Sequence, residues 1–325
     1  MRMCIGSAFY HTRGKAPNLH CQSEKDKLSV YYRCLVVFFA SARLHFPDEK
    51  LVLFSNVLPL EEYLSELQKL RVVCEIIPSE QIQYVTGSIS NSFPGCLFSL
   101  DVFQFCNTRE WKKNYGSLTL FDSDCVIRKS INLPKDHFGA IKIFDYPVWH
   151  AVNGQSRITL SRIAKKLYNI STIIDYFGGE YYHIPSNKLN LLNDRVSEIY
   201  SFLKATDKFG VTFTEEHILT LVFSKYESQM LYDPFLIKRI WTANTFNNVV
   251  PSDKDVAVYH LPAEKERLFR SYYVKIVSEK DYLRNHDFST NLFNYVTHRA
   301  NPPFPIKILN KIKKMIRNPQ RRFKL

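Results

Sequence analysis

The chain has 325 residues, 45% hydrophobic and 23% charged, which supports a large core and argues against wholesale disorder. Its richest apolar run, Leu35 to Ala40, is six residues, against the roughly 18 to 20 that a membrane span needs. Met1 to Gly14 lacks the apolar stretch of a signal peptide. The net charge of +13 is concentrated: Lys307, Lys311, Lys313, Lys314, Arg317, Arg321, Arg322 and Lys324 lie in the last twenty residues without an acid, and the remainder carries +5. Basicity of that kind speaks for docking by a tail rather than for a basic body.

Met3 to Phe9 reads as a first strand, closed by a loop through His11 to Gly14. After Ser29, Tyr32, Leu35, Val36 and Phe39 recur at helical spacing until Pro47. Lys50 to Phe54 is a second strand, Leu60 to Leu70 a helix of alternating acids and leucines, and Arg71 to Ile77 a third strand. The alternation predicts a sheet with helices on its faces. Phe98 to Cys106 reads as helical, and Tyr115 to Phe121 is a strand running straight into Asp122-Ser123-Asp124. Further along, Ala140 to Phe144 is a short strand and residues 157–176 a helix broken by Gly178-Gly179. Thr214 opens another helix, and a late strand from Asp255 to Tyr259 delivers His260. Pro302, Pro303 and Pro305 mark the end of a single globular unit over 1–300, with no internal repeat and no low-complexity linker. Seven cysteines, an odd number without a CxxC pair and mostly inside apolar runs, suit free thiols in a reducing compartment.

Asp122-Ser123-Asp124 is the most informative feature. In extended backbone, residues two apart point to the same side. Two carboxylates at the end of a buried strand are costly without a compensating cation. Hard oxygen ligands of this kind suit Mg²⁺ or Mn²⁺ shared with a diphosphate. The bland alternative is a solvent-facing turn.

A strand ending in Asp-Ser-Asp behind alternating strands and helices resembles the nucleotide-sugar-dependent glycosyltransferases of the GT-A fold. More narrowly, it is similar to bacterial enzymes that build lipopolysaccharide or capsule. The resemblance spans about residues 3 to 265. It implies a single Rossmann-like α/β domain with a mixed, mostly parallel sheet, a divalent cation on Asp122 and Asp124, and Ser123 within the donor site. Tyr176-Phe177-Gly178-Gly179-Glu180 resembles the segment lining the donor and acceptor pocket, although paired glycines after a helix also serve as a plain C-cap. Thr214-Glu215-Glu216 is ordinary helix-start chemistry by itself. By resemblance it is the acidic pair facing the acceptor, with Glu216 favoured over Glu215.

His260 resembles the third metal ligand, and Lys265 is implied to approach the diphosphate, although the residues between them depart from the commonest pattern. Phe9 and Tyr10 are placed to stack on a uracil ring and Asn56 to reach the base. Asp101 either accepts from a sugar hydroxyl or caps its helix. The implied reaction moves a sugar, retention favoured over inversion, from a UDP-sugar to a glycan or glycolipid. Glu216 or Glu180 would stabilise an oxocarbenium-like carbon or take the acceptor's proton.

In the tail, Ile308, Ile312, Met315 and Ile316 share one helical face among basic residues, a pattern that suits the anionic cytoplasmic face of a membrane. No nucleic-acid motif accompanies it. The rival classes are a nucleotidyltransferase, for which the first loop lacks a phosphate-cradling pattern, and a non-catalytic basic binding module.

Overall fold

Parallel strands covered on both faces are continuous apolar runs rather than alternating ones, and Leu51-Val52-Leu53-Phe54 is such a run. In the computed structural model, which describes residues 2–12, 19, 23–87, 94–143, 146–206, 213–243 and 246–301, it lies inside strand β2. The first half of the chain runs β1 (Arg2–Phe9), α1 (Glu24–His45), β2 (Lys50–Ser55), α2 (Glu61–Lys69), β3 (Val72–Ile76), α3 (Phe98–Phe105), α4 (Arg109–Asn114) and β4 (Tyr115–Phe121). Helix α1 starts earlier than its apolar period suggests. Ser23 caps it by accepting from the Asp26 amide at 3.1 Å, and the helix gives out at Phe46, just before Pro47.

The second half adds β5 (Cys125–Ile127), β6 (Phe138–Lys142), a small hairpin of β7 (Ala151–Val152) and β8 (Gln155–Ser156), α5 (Arg157–Tyr168), β9 (Phe177–Pro185), α6 (Leu189–Thr206) and α7 (Glu215–Lys225). Then come β10 (Met230–Leu231), β11 (Ile237–Arg239), β12 (Thr242–Ala243), β13 (Phe246–Asn247), β14 (Val258–His260), α8 (Leu268–Ser278), α9 (Tyr282–Asn285) and α10 (Phe288–Ala300).

The main sheet has the order β10-β6-β9-β4-β1-β2-β3. Strands β3, β2, β1 and β4 are parallel, β9 is antiparallel to both β4 and β6, and β10 is parallel to β6. One face is covered by α1 and α2, whose Leu35, Phe38, Phe39 and Leu67 pack on Ile5, Leu51 and Leu53. The opposite face is covered by α3, α6 and α7 through Phe103, Val196, Leu219 and Phe223. A second sheet, β11-β14-β5, sits beyond the end of β4. This is the mixed, largely parallel α/β architecture expected from the sequence.

Two expectations change. The helix expected over 157–176 ends at Tyr168, because Asn169 takes a left-handed conformation (φ 58°, ψ 28°) that terminates it. Gly178 and Gly179 are not a loop; they lie inside β9. Six of the cysteines are free, and Cys21 lies outside the described residues. The tail from Pro302 also lies outside them. Among the described residues, no helix is long and apolar enough to cross a membrane.

Candidate active site

Strand β4, central in the main sheet, carries the chain to the carboxyl ends of the parallel strands, and the turn Asp122-Ser123-Asp124 passes it to β5 in the small sheet. The Asp122 amide continues the main ladder by donating to the Glu180 carbonyl at 3.0 Å. Its own carbonyl accepts from the Cys125 amide at 3.1 Å, which closes the turn. Within it, the Ser123 amide donates to Asp122 Oδ1 at 2.8 Å.

The small sheet supplies the remaining groups. Strand β14 pairs antiparallel with β5, setting His260 opposite Cys125, and pairs parallel with β11, setting His260 beside Arg239. His260 Nε2 lies 3.4 Å from Asp122 Oδ2 and 3.2 Å from Asp124 Oδ2. One ligand atom from each of the three residues falls within 4.8 Å of the others. The turn after β14 brings Lys265 Nζ to 2.9 Å from Asp124 Oδ2. The same ammonium stands 5.8 Å above the ring of Tyr31, on α1.

Burial by itself would raise the carboxyl of Asp124, which has no exposed surface. The ammonium of Lys265 and the imidazole of His260 outweigh burial and hold it well below the usual carboxylate range. Burial would likewise lower His260, but Asp124, Asp122 and Glu180 hold it well above the usual imidazole range.

These residues fit a divalent cation. Neither oxygen of Asp124 and neither ring nitrogen of His260 has an aligned hydrogen bond, close as their charged neighbours stand. Buried polar atoms left in that condition call for a ligand. Asp122, Asp124, Glu180 and Glu216 bring four carboxylates, while Lys265 and Arg239 bring two fixed cations. Even with a proton on His260 the acids remain in excess, which favours a cation.

The acids on the other side of the site depend on an irregularity in β9. Ala140 pairs with Tyr182 but Ile141 pairs with Gly178, so residues 179–181 bulge away from β6. Bulges re-aim side chains, and this one turns Glu180 toward the small sheet. Arg239 Nε donates to Glu180 Oε1, and His260 Nδ1 lies 3.3 Å from the same oxygen. Arg239 Nη2 also donates to Glu216 Oε1 at 2.9 Å. Glu216 Oε2 accepts from the Tyr176 hydroxyl at 2.7 Å and from Asn153 Nδ2, on the β7–β8 hairpin, at 3.4 Å.

Gly178, just before the bulge, and Gly179, within it, make room for carboxylates. A Cβ on Gly178 would collide with Glu180 Oε2, and one on Gly179 would lie 2.6 Å from Glu215 Oε1 and 3.0 Å from Glu216 Cγ. Glu215 and Glu216 share the first turn of α7, capped by Thr214. The Thr214 amide donates to His217 Nδ1 at 2.9 Å, which leaves His217 Nε2 to donate to the Val152 carbonyl at 2.9 Å. The helix start and the hairpin are thereby tied together. Glu215 has no cation of its own, and its Oε2 is buried without a hydrogen bond. Burial, with the neighbouring Glu216 second, pushes its carboxyl up to about 8.

Several expected site residues have other tasks. Phe9 is buried against the rings of Tyr31 and Tyr32, at 5.5 and 5.3 Å between centroids, so its face is not open to a base. Tyr10 is half-buried and leans on Phe98. Asn56 accepts from the His11 amide at 2.7 Å and donates to the His11 carbonyl at 3.1 Å, pinning the end of β1 to that of β2. Asp101 neither faces a sugar nor caps its own helix. It is fully buried and accepts from the amides of Gln83, Tyr84 and Val85. Glu180 has no exposed side-chain surface, and its carboxylate faces Arg239 and His260. Arg239 and Asn153 carried no recognisable role in the sequence, and Tyr176 entered only as the start of the segment resembling a pocket lining.

No family model matches the chain, and no curated protein sequence does. Among solved structures, the galactosyltransferase LgtC, in complex with donor and acceptor sugar analogues, superposes on 87% of this chain and 99% of its own. The TM-score is 0.51 at 13% identity. The bifunctional glycosyltransferase WbbM, in its apo form, covers 80% of this chain and 45% of its own, with TM-score 0.49 at 13% identity. This chain has the GT-A fold. Its GT-A sheet places Asp122 and Asp124 at the end of the fourth strand, where the strand order turns from parallel to mixed. Crevices at such switch points are where open α/β sheets bind ligands.

Proposed function

We propose that this GT-A protein is a divalent-cation-dependent glycosyltransferase that moves a hexose or N-acetylhexosamine from a UDP-sugar to a glycan or glycolipid, as in lipopolysaccharide or capsule assembly. The observation that carries the reading is the meeting of Asp122, Asp124 and His260 within one connected charge network with Glu180, Arg239 and Glu216. Bound to those three ligands, Mn²⁺ or Mg²⁺ would draw off the negative charge that collects on a departing nucleoside diphosphate. Lys265 adds an ammonium for the phosphate oxygens. Tyr10 and Asn56, at the ends of β1 and β2, border the place where a base and ribose would lie in such a sheet.

Glu216 is held by three donors, so it offers a fixed negative charge rather than a free oxygen to take a proton. That suits stabilisation of an oxocarbenium-like carbon, and with it retention of configuration, better than general-base inversion. Glu215, whose carboxyl is pushed up to about 8, keeps a proton at neutral pH and can donate a hydrogen bond to a sugar hydroxyl. Residues 1–300 form the transferase, and the basic stretch 301–325 holds it on an anionic cytoplasmic membrane face.

The test is release of UDP by the full chain from UDP-galactose, UDP-glucose and their N-acetyl forms with Mn²⁺. Release from one of them, abolished by chelation and by Asp124→Ala, is expected. Folded protein that releases no nucleoside diphosphate from any of these donors, nor from GDP-sugars, would overturn the reading.

A further inference from the structure

We infer that Glu180 is a positioning residue of the cation site: its carboxylate holds the Nδ1 edge of His260 so that Nε2 faces Asp122 and Asp124, and Arg239 fixes that carboxylate while gripping Glu216. The inference rests on the cation reading of Asp122, Asp124 and His260, and not on sugar transfer.

The two ring nitrogens face opposite ways. Nε2 has the aspartates at 3.4 and 3.2 Å, whereas Nδ1 has Glu180 Oε1 at 3.3 Å, all of them charge contacts without hydrogen-bond alignment. A carboxylate behind a ligating imidazole accepts the Nδ1 proton and leaves the Nε2 lone pair free for the cation; it sets the ring angle and raises ligand basicity. Glu180 is outside the ligand cluster itself, and its side chain is fully buried.

The backbone is shaped to place it there. The bulge over residues 179–181 is what frees Glu180 from the β6 ladder, and Gly178 leaves the space its carboxylate fills. Arg239 reaches it because β11 runs parallel to β14 with Arg239 and His260 in register, so both side chains leave the small sheet toward the same carboxylate. A lone buried carboxylate would favour protonation or displacement. Arg239 supplies the partner, donating through Nε to Glu180 Oε1 and through Nη2 to Glu216 Oε1. Through Arg239, the group that orients a metal ligand is joined to Glu216, so the cation site and the acid at the start of α7 share one rigid support.

The experiment is a Mn²⁺ titration of the full chain followed by electron paramagnetic resonance, without nucleotide, with thermal stability measured in chelator. Glu180→Gln keeps the shape of the side chain and leaves Arg239 paired with Glu216. It is expected to weaken Mn²⁺ binding by about 10- to 100-fold, the range typical of such outer partners, whatever it does to stability. Asp124→Ala serves as the binding-null control. Equal Mn²⁺ affinity in Glu180→Gln and the wild type would overturn the inference, even if the variant melts earlier, because packing alone would then explain Glu180.

A second readout needs no variant: the ring-nitrogen NMR shifts of His260 with Mg²⁺ bound. A proton on Nδ1 and none on Nε2 is expected; the reverse would overturn the inference. Wild-type protein that binds no Mn²⁺ would overturn it as well. Protein that binds Mn²⁺, loses affinity in Glu180→Gln and transfers no sugar would sustain it while removing the transferase reading.

Discussion

Asp124 and Glu215 are acids of the same site, and their surroundings drive them in opposite directions. Asp124 is fully buried, yet Lys265 and His260 hold it ionised. Glu215 sits less deeply, but it meets the carboxylate of Glu216 and no cation, and its carboxyl is pushed up to about 8. Partners, rather than depth, decide which acid keeps its charge. The contrast separates the site into a half built to grip a cation and a half built to hold a neutral acid beside a fixed anion.

The largest expected effect breaks the cationic half. Asp124→Ala leaves Lys265 and His260 facing each other without their shared anion. Removing one member of a buried ion pair typically costs about 3–5 kcal/mol, to be read from denaturant unfolding, and Mn²⁺ should cease to stabilise the protein. Next, Arg239→Met strips the counter-charge from both Glu180 and Glu216. A loss of similar order, about 3 kcal/mol, is expected, together with a drop in transfer rate. Combining it with Glu180→Gln should recover part of the stability, since one uncompensated anion goes.

The acidic half is tested by pH. Glu215 has a folded-state value raised from 4.5 to about 8, so between those values the native state binds more proton than the unfolded one. Its contribution is therefore fully present below about pH 4.5 and is lost as pH rises through 8. Glu215→Gln should flatten the fall in stability across that window, as seen in melting curves at fixed ionic strength. The smallest effect is Gly179→Ala. The added methyl must push aside the ends of Glu215 and Glu216, and about 1–3 kcal/mol of destabilisation is expected, with transfer impaired further than stability alone explains.

Legibility of the site in the sequence followed the length scale of the signal. Asp122-Ser123-Asp124 stood out because a seven-residue strand, β4, leads straight into it; the extended backbone expected there is a turn, closed by the Cys125 amide on the Asp122 carbonyl. Thr214-Glu215-Glu216 showed itself as a helix start, and His260 as the end of a late strand. Arg239 did not, because β11 is three residues long and has no periodicity to mark which side it presents.

The bulge in β9 was hidden for another reason. Gly178-Gly179 reads as a turn in any local window, and only the pairing of Gly178 with Ile141 of β6, far off in sequence, makes it strand. Asp101 resembled an accessible acid on a helix; its partners lie 16 to 18 positions earlier, at residues 83–85. Phe9 shows the same limit, since helix α1, which folds over it, comes from later in the chain. Fold class was carried by the long alternating elements, which is why it was the most legible part.

The most direct measurement is calorimetric titration of UDP into the full chain with and without Mn²⁺, on the wild type and on the Asp122→Ala, Asp124→Ala double variant. A cation-dependent nucleotide-sugar transferase should bind UDP with Mn²⁺ present, and lose that binding in chelator and in the variant. UDP binding that is unchanged by chelator and by loss of both aspartates would contradict it.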